Sequence, residues 1–308
     1  MKNRYNSKSY VANDTVSTHV TSEYLLSVVV LSYNTKDITA RCLDSLYRHA
    51  PTIADMEVVV IDNASFDGST DAIGERFPDI KLIRNTQNRG FSAACNQGIR
   101  VSKGNIVLLL NSDAELYDQS LDVVVDYMIR NPEVGIAGGK MLDTNGEPQP
   151  SCHTFPTYKN LLFSKSSIFS GFGFFKKRYK RYRFIPENIT DVDAMAGGFL
   201  FLSREVLSSV GLLDERFFFY VEDIDIARRV KSAGWRIVFI PKAGIIHLGG
   251  ASTSRRPAKT YAWHHISLFK YFMKHHPLLL PINLLLGFGL AAHYCIWRLF
   301  NLFRRAGN

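Results

Sequence analysis

The sequence IVLLLNSDAEL at residues 106–116 combines five consecutive apolar side chains with an abrupt polar end, Asn111-Ser112-Asp113. An apolar run without alternation that stops at a turn-like cluster is typical of a strand buried on both faces of a parallel sheet. Asp113 then lies at the carboxyl end of the strand, the edge where ligands bind in open α/β sheets. A carboxylate there suits a divalent cation that holds phosphate oxygens, whereas the plain alternative is a cap for the following segment.

Three more apolar runs precede this one, and each run is followed by a segment of helical periodicity. The predicted strands are 27–31, 57–61, 80–83 and 106–110. Strands that alternate with helices predict right-handed crossovers and a parallel sheet. The sequence therefore predicts an α/β protein with a Rossmann-like, mostly parallel sheet flanked by helices.

Polar side chains follow the ends of these strands, so one edge of the predicted sheet collects most of the groups capable of chemistry. They are Asn34, Asp62, Asn63, Asn88, Arg89 and Asp113. Helix N-termini converge on the same edge, and their free N–H groups favour phosphate. Neither GxGxxG nor GxxxxGK[ST] occurs, which removes the usual grounds for a dinucleotide oxidoreductase or a P-loop ATPase. A nucleotide site that uses a carboxylate and a metal is the remaining prediction.

A second informative block spans residues 193–235. It contains an apolar strand at 198–202 and an aromatic run at 217–220, and Glu222-Asp223 follow at the predicted start of a helix. The helix dipole favours ionised carboxylates at this position, while burial raises their pKa. Such a carboxylate is a credible general base, and an ordinary helix cap is the alternative.

Two further strands are predicted around this block. The first covers 134–137 and is broken by Gly138-Gly139, and the second covers 236–240. His247 is expected shortly after the second strand, before a Gly-Gly turn, where its imidazole would close on a metal at Asp113.

Composition limits the partners of the chain. The 308 residues are 46% hydrophobic and carry a net charge of +9, which excludes a mainly disordered chain and suits an anionic partner. The four cysteines form no CxxC pair, which favours reduced thiols in the cytosol. The basic-aromatic segment 164–183 suits RNA, an anionic membrane surface or a plain solvated face.

The C-terminal tail favours the membrane among these partners. Residues 278–297 contain no charged side chain and are flanked by basic residues, but Pro281, Asn283 and His293 interrupt the run. Helices at the membrane interface, a spanning helix and a buried core helix are the alternatives. Either of the first two places the protein at the cytoplasmic face of a membrane, with an anionic membrane surface and no nucleic acid as partner.

The predicted domain organisation follows from these boundaries. Residues 1–23 form a polar leader and residues 24–262 form the α/β domain. That domain divides into a nucleotide-binding half at 24–130 and an acceptor-binding half at 131–262. Residues 263–308 form membrane-associated helices.

The motifs SVVVLSYN, VVVIDNASFDGST, NRGFSAACNQGI, LLLNSDAEL and GGFLFLSREVLSSVGLLDERFFFYVEDIDIARRVKSAGW occur in this order, before the His247 segment. Over about residues 26–254 this combination resembles family 2 glycosyltransferases of the GT-A fold, and most of all their bacterial rhamnosyltransferase branch. The resemblance implies an inverting, metal-dependent enzyme that moves a sugar from a nucleotide diphospho-sugar, above all L-rhamnose from dTDP-rhamnose. The implied acceptor is a polyprenyl diphosphate-linked glycan of cell-surface polysaccharide biosynthesis, and the implied location is the cytoplasmic face of a bacterial inner membrane. A UDP-hexose donor and a catalytically inactive sugar-nucleotide binding module are the alternatives.

The resemblance also implies roles for individual residues. Asp223 would be the general base and Glu222 would orient the acceptor hydroxyl, while Asp113 and His247 would hold Mg²⁺ or Mn²⁺. Asn111 departs from the acidic first position of the family's DxD motif and leaves one carboxylate fewer for the cation. No QxxRW motif follows His247, so transfer of one sugar per encounter is expected. The donor would be bordered by Ser32, Asn34, Asp62, Asn63, Asn88, Arg89, Asn96, Asn111, Gly197 and Gly198.

Overall fold

The computed structural model describes residues 23–117, 119–162, 183–249 and 257–306. Apart from its last residue, the predicted polar leader 1–23 lies outside the described residues, and so does the basic-aromatic segment 164–183 apart from Arg183.

The described part of the chain alternates strands and helices over its first half. The strands are β1 (Leu25–Ser32), β2 (Asp55–Asp62), β3 (Lys81–Arg84), β4 (Ile106–Asn111), β5 (Ala114–Leu116), β6 (Val134–Leu142), β7 (Pro148–Gln149), β8 (Cys152–His153), β9 (Arg183–Phe184), β10 (Thr190–Asp191), β11 (Ala194–Met195), β12 (Phe199–Ser203) and β13 (Arg236–His247). The helices are α1 (Lys36–Arg48), α2 (Ser69–Arg76), α3 (Phe91–Val101), α4 (Ser120–Arg130), α5 (Tyr158–Leu162), α6 (Arg204–Val210), α7 (Glu222–Ser232), α8 (Pro257–His275) and α9 (Leu280–Ala306), with a 3₁₀ turn at Pro277–Leu279.

The main sheet has the order β10-β13-β6-β12-β4-β1-β2-β3, and the predicted mostly parallel sheet is confirmed. Strands β3, β2, β1 and β4 run parallel, whereas β12 runs antiparallel between β4 and β6. The strand order reverses between β1 and β4, which is the place where open α/β sheets bind ligands. Pairing of Leu31 with Asn111 and of Ser32 with Asp62 brings three strand ends to one level.

Buried side chains of the central strands divide between two apolar clusters, one on each face of the sheet. Val28 and Leu108 pack into one cluster, and Val29 and Leu109 pack into the other. A strand that is covered on both faces contains no polar alternation. This explains the uninterrupted apolar run at 106–110.

Two predicted boundaries are wrong. The glycine pair Gly138-Gly139 does not break β6, which continues to Leu142. Glycine is needed at both positions because neighbouring backbone lies too close for a side chain. A Cβ at Gly138 would lie 2.6 Å from the carbonyl oxygen of Phe199, and one at Gly139 would collide with the carbonyl oxygen of Ala243. These glycines permit close approach of neighbouring chain segments. Strand β13 continues past Ile240 to His247 with a register shift, so His247 lies on a strand and not in a loop.

Helix α8 packs into the α/β domain, and the predicted boundary at residue 263 falls inside this helix. Leu268, Tyr271 and Phe272 are buried among the residues of one core cluster. Near its end, Lys274 and His275 bond the carboxylate of Asp225 at 2.6 and 2.7 Å. The last turn of α8 is therefore anchored to α7 by a buried charge cluster.

One helix in the described part of the chain is long and apolar enough to cross a membrane. It covers Pro277–Leu299 with a mean hydropathy of 1.7, and 6% of its most apolar window is buried. Leu278, Leu285 and Phe288 are largely exposed. The alternative of a buried core helix is therefore wrong.

Candidate active site

Asp113 and His247 lie together beyond the end of β4. Asp113 occupies the turn between β4 and β5, and antiparallel pairing of β5 with β13 sets His247 opposite Ala114. The backbone N–H of Leu248 donates to the carbonyl oxygen of Asp113 at 3.0 Å. As a result, Nε2 of His247 lies 3.2 Å from Oδ1 of Asp113.

Gln149 holds the imidazole of His247. Its Nε2 donates to the carbonyl oxygen of His247 at 3.1 Å, so its Oε1 is the atom that faces Nδ1 of the ring, also at 3.1 Å. Gln149 therefore fixes the orientation of the ring and turns Nε2 toward Asp113. No sequence signal identified Gln149, because its surroundings are Pro-rich, and the structure places it on the short strand β7.

This arrangement fits a divalent cation. A carboxylate oxygen and an imidazole nitrogen lie 3.2 Å apart, and both are atom types that bind divalent cations. Within the residues that the structure describes, no cluster of three or more His, Cys, Asp or Glu side chains forms a metal site. Two protein ligands suit Mg²⁺ or Mn²⁺ where diphosphate oxygens and water complete the coordination.

Asn111 links this pair to the glycines that precede β12. Its backbone N–H donates to the carbonyl oxygen of Gly198 at 3.1 Å, and its Nδ2 lies 3.4 Å from Nε2 of His247. A Cβ at Gly198 would lie 3.1 Å from the same Nδ2. Gly198 therefore keeps the space beside Asn111 open.

Asp223 borders the same glycine pair from the other side. Its Oδ2 accepts the N–H of Gly197 at 3.1 Å and its Oδ1 accepts the N–H of Ile224 at 2.8 Å. Asn111 contacts Gly198 and Asp223 contacts Gly197, so the structure brings both ends of the predicted site to one glycine pair.

The turn before α7 has a strained backbone. Tyr220 and Val221 have φ values of 66° and 72°, in the left-handed region that is unfavourable for residues with a Cβ and most of all for β-branched ones. Two consecutive residues of this kind are typical of functional turns. The turn places Asp223 at the start of α7. The sequence pattern predicted this helix start but not the strained backbone before it.

Glu222 lies in the interior, and its predicted contact with the acceptor stays a prediction. Its side chain is buried, and its Oε2 has no hydrogen-bond partner among the described residues. Burial, followed by the negative charge of Asp223, raises the pKa of Glu222 well above its ordinary value. Glu222 in turn contributes, after burial, to the raised pKa of Cys95 on α3. Glu222 is therefore a buried carboxyl group at the start of α7.

Asp62 presents an unsatisfied acceptor at the end of β2. Its Oδ2 accepts the N–H of Ser65 at 3.0 Å, whereas its Oδ1 is buried and has no hydrogen-bond partner among the described residues. An orphaned buried carboxylate oxygen is costly unless a ligand supplies a donor. The N–H group of a pyrimidine ring is such a donor.

Asn34 and Ser32 stabilise the loop that follows β1 through hydrogen bonds within the protein. Asn34 accepts the N–H of Phe66 through Oδ1 at 2.9 Å and donates its own N–H to Ser65. Ser32 is fully buried, and its hydroxyl contacts that of Thr39 at 3.1 Å. This hydroxyl therefore faces the interior, and the predicted contact of Ser32 with the donor stays a prediction.

Asn63 is saturated by hydrogen bonds to the segment 85–90. Its Nδ2 donates to Asn88 and Gly90, and its Oδ1 accepts from Asn85 and from the N–H of Arg89. These bonds shape the loop at 85–90, and the predicted contact of Asn63 with the donor stays a prediction. Asn88 and the exposed Arg89 border the resulting loop.

Asn96 is also placed away from the predicted donor contact. Its Nδ2 donates to the carbonyl oxygen of Leu213 and to Glu215, and its Oδ1 accepts the N–H of Leu213. The residue is buried, so it cannot bond a diphosphate without losing these contacts. Asn96 instead connects α3 to the segment that leads into the aromatic run.

Comparison with known proteins agrees with this geometry. Residues 27–209, more than half of the chain, match the family described as Glycosyl transferase family 2. The chain is 29% identical over 270 residues to N-acetylglucosaminyl-diphospho-decaprenol L-rhamnosyltransferase of Mycobacterium tuberculosis, covering 82% of this chain and 85% of that protein.

Two solved structures share the fold. The mannosyltransferase PcManGT of Pyrobaculum calidifontis, solved with GDP-Man and Mn²⁺, superposes with a TM-score of 0.56 at 21% identity and covers 87% of this chain and 73% of that chain. GalNAc-T7, solved with UDP, GalNAc and Mn²⁺, has a TM-score of 0.54 at 17% identity and covers 73% and 44% of the two chains. These identities support the GT-A architecture alone. With the family match, the strand topology and the rhamnosyltransferase relative taken together, the chain belongs to glycosyltransferase family 2 and is a glycosyltransferase of the GT-A fold.

Proposed function

We propose that this enzyme transfers L-rhamnose from dTDP-rhamnose to a lipid-linked glycan acceptor, one sugar per encounter, with inversion at the anomeric carbon. The observation that carries the proposal is the chain of contacts from the Asp113-His247 pair through Asn111 and the glycine pair to Asp223. From these contacts we infer that a diphosphate-binding group and a candidate base serve the same site. The rhamnosyltransferase relative supports the choice of sugar and of a polyprenyl diphosphate-linked acceptor.

The protein groups divide the chemistry between them. Asp62 offers its unpartnered oxygen to the pyrimidine base. Asp113 and His247 would hold a divalent cation, and such a cation would supply positive charge to stabilise the diphosphate leaving group. Asp223 accepts the proton of the acceptor hydroxyl as that oxygen attacks the anomeric carbon from the face opposite the diphosphate. Backbone N–H groups fix both oxygens of Asp223, so its carboxylate is oriented before the acceptor binds.

A panel of nucleotide sugars tests the donor. With Mg²⁺ or Mn²⁺ present, we expect dTDP-rhamnose to be turned over and dTDP to raise the melting temperature. A ligand at about 100 times its Kd stabilises the protein by about 2.7 kcal/mol. If only UDP-hexoses are turned over, the proposed donor is wrong but the protein is still a glycosyltransferase. Binding without turnover of any donor would favour the catalytically inactive binding module.

Substitution of Asp113 by Asn tests the metal role. We expect the affinity for dTDP in the presence of Mn²⁺ to fall by about 100-fold, since loss of groups that merely support a metal ligand already costs about 10–100-fold. Calorimetric titration measures this affinity with and without EDTA. Asp71→Asn is the matched control, because it removes the same charge at a side chain that is 77% exposed on α2. Equal metal-dependent affinities in Asp113→Asn and wild type would contradict the assignment.

We also propose that the protein works at the cytoplasmic face of the membrane, held there by α9 and an anionic lipid surface. The exposed apolar face of Pro277–Leu299 supports this, as does the net charge of +9. A lipid-linked acceptor would then meet the site at the membrane surface.

A further inference from the structure

A cavity of about 400 Å³ lies between α7, the segment before α5 and the end of α8, and the proposed sugar transfer does not use it. It is lined by the apolar side chains of Phe155 and Pro156 and by the nitrogen-bearing side chains of Arg228, Lys231 and His276. An apolar surface beside convergent cationic groups is typical of a ligand site.

The guanidinium of Arg228 is held from one end only. Its Nη1 donates to the hydroxyl of Tyr271 at 2.8 Å and lies 3.2 Å from Nε2 of His276. Burial, followed by the positive charges of Arg228 and His275, lowers the pKa of His276, so its neutral imidazole accepts this bond. Nε and Nη2 of Arg228 have no hydrogen-bond partner among the described residues. Three N–H donors of a fixed, planar fork therefore remain for a ligand.

The other polar groups of the cavity also have spare donors. Nζ of Lys231 donates to Asp193 at 2.6 Å and lies 6.0 Å from the ring centre of Phe155, which leaves two of its three hydrogens. The hydroxyl of Ser232 has no hydrogen-bond partner in the described part of the chain. Arg228 and Lys231 are both cationic, and Asp193 is the carboxylate bonded to Lys231, so the excess positive charge favours an anion in the cavity. A guanidinium fork matches the paired oxygens of a phosphoryl group.

The position of the cavity beside the apolar helix indicates which kind of molecule would contain the bound anionic group. His276 directly precedes the apolar segment Pro277–Leu299. Tyr158, which follows the lining segment 155–157, donates through its hydroxyl to Oδ1 of Asn283 on α9 at 2.7 Å. The cavity therefore lies where the α/β domain meets the exposed apolar helix, at the level where lipid phosphates lie when this helix enters a membrane interface.

We propose that this cavity binds the phosphoryl group of a lipid through Arg228 and Lys231. The two sources of this chemistry are an isoprenoid diphosphate and a phospholipid head group. The site follows from the donors of the cavity, while the isoprenoid source rests on the proposed lipid-linked acceptor.

Binding measurements on the full chain test the proposal. Farnesyl diphosphate is titrated in EDTA, so that no cation supports binding at Asp113, and vesicles of phosphatidylglycerol are compared with vesicles of phosphatidylcholine by co-sedimentation. In Arg228→Gln we expect the affinity for the phosphoryl ligand to fall by about 10-fold to 100-fold, the range that corresponds to a lost charge-assisted hydrogen bond. Arg228→Lys keeps the charge but loses the fork, so its affinity falls by less. Arg130→Gln removes an exposed arginine on α4 and leaves binding unchanged.

Each outcome has a defined meaning. Weaker binding of farnesyl diphosphate in Arg228→Gln supports the isoprenoid source, weaker binding of phosphatidylglycerol vesicles supports the head group, and weakening of both supports the shared phosphoryl site. Unchanged binding in both arms overturns the proposal. Lys231→Gln changes an exposed side chain and repeats the test where Arg228→Gln fails to fold. Binding of dTDP with Mn²⁺ is measured in every protein as a control. Variants that retain it have lost only the site in this cavity. Failure of the proposed function would appear instead as absent dTDP binding in wild type.

Discussion

Replacement of Asp223 by Asn is expected to lower the rate of sugar transfer by about 10²-fold to 10⁴-fold, the contribution typical of a positioned general base. The amide can still accept a backbone N–H through its one oxygen, so the start of α7 should keep its shape. It cannot take a proton from the acceptor hydroxyl. Single-turnover transfer at saturating donor and acceptor measures the chemical step.

Two comparisons make this result specific. The affinity for dTDP should stay within about twofold of wild type, since Asp223 is proposed to act on the acceptor and not on the donor, and twofold is about 0.4 kcal/mol. Asp126→Asn changes a half-exposed carboxylate of an ion pair on α4 and should keep the wild-type rate. A transfer rate in Asp223→Asn near that of wild type would place the base elsewhere.

Replacement of Asp225 by Ala is expected to lower the free energy of unfolding by about 3–5 kcal/mol, the cost of removing one partner from a buried ion pair. The carboxylate is fully buried and bonds Arg229 at 2.9 Å, Lys274 at 2.6 Å and His275 at 2.7 Å. Without it, cationic groups from α7 and α8 face each other at low dielectric. Urea unfolding followed by circular dichroism measures the change.

Asp126→Ala is the matched control for this stability effect. Asp126 and Arg130 have the same four-residue spacing as Asp225 and Arg229, but their side chains are 47% and 74% exposed. An exposed pair of this kind contributes about 0.3–0.5 kcal/mol. Similar losses in both variants would show that the charge cluster between α7 and α8 does not stabilise the fold.

The same cluster has a defined dependence on pH. Burial raises the pKa of Asp225, but hydrogen bonds from His275 and Lys274 and the charge of Arg229 outweigh it, so the pKa lies below its ordinary value. A carboxyl whose folded pKa is lowered contributes its full stability above the unfolded value of about 3.9, and the contribution is lost as pH falls through the folded pKa. The difference in stability between wild type and Asp225→Ala should therefore shrink below about pH 4.

Local sequence patterns were sufficient for the α/β class and for the parallel strands of the sheet, and they predicted the edge at which the candidate site lies. The apolar run 106–110 is uninterrupted because both faces of β4 are covered, and the polar residues after it mark the carboxyl edge. Asp113 and Asp223 were recognisable because each follows a buried element at a place that a short motif defines. Both properties are read within a few residues of the chain, so they need no knowledge of distant contacts.

Tertiary structure alone decided which polar side chains are free to act. Asn63 and Asn96 resemble ligands in sequence, yet segments up to 119 residues away use their amides. Gln149 orients His247 across 98 residues, and Glu222 is buried although its neighbour Asp223 is not. The physical reason is that each polar side chain has a small, fixed number of hydrogen-bond donors and acceptors. The long-range pairing of strands and loops determines whether the protein itself or a substrate occupies them.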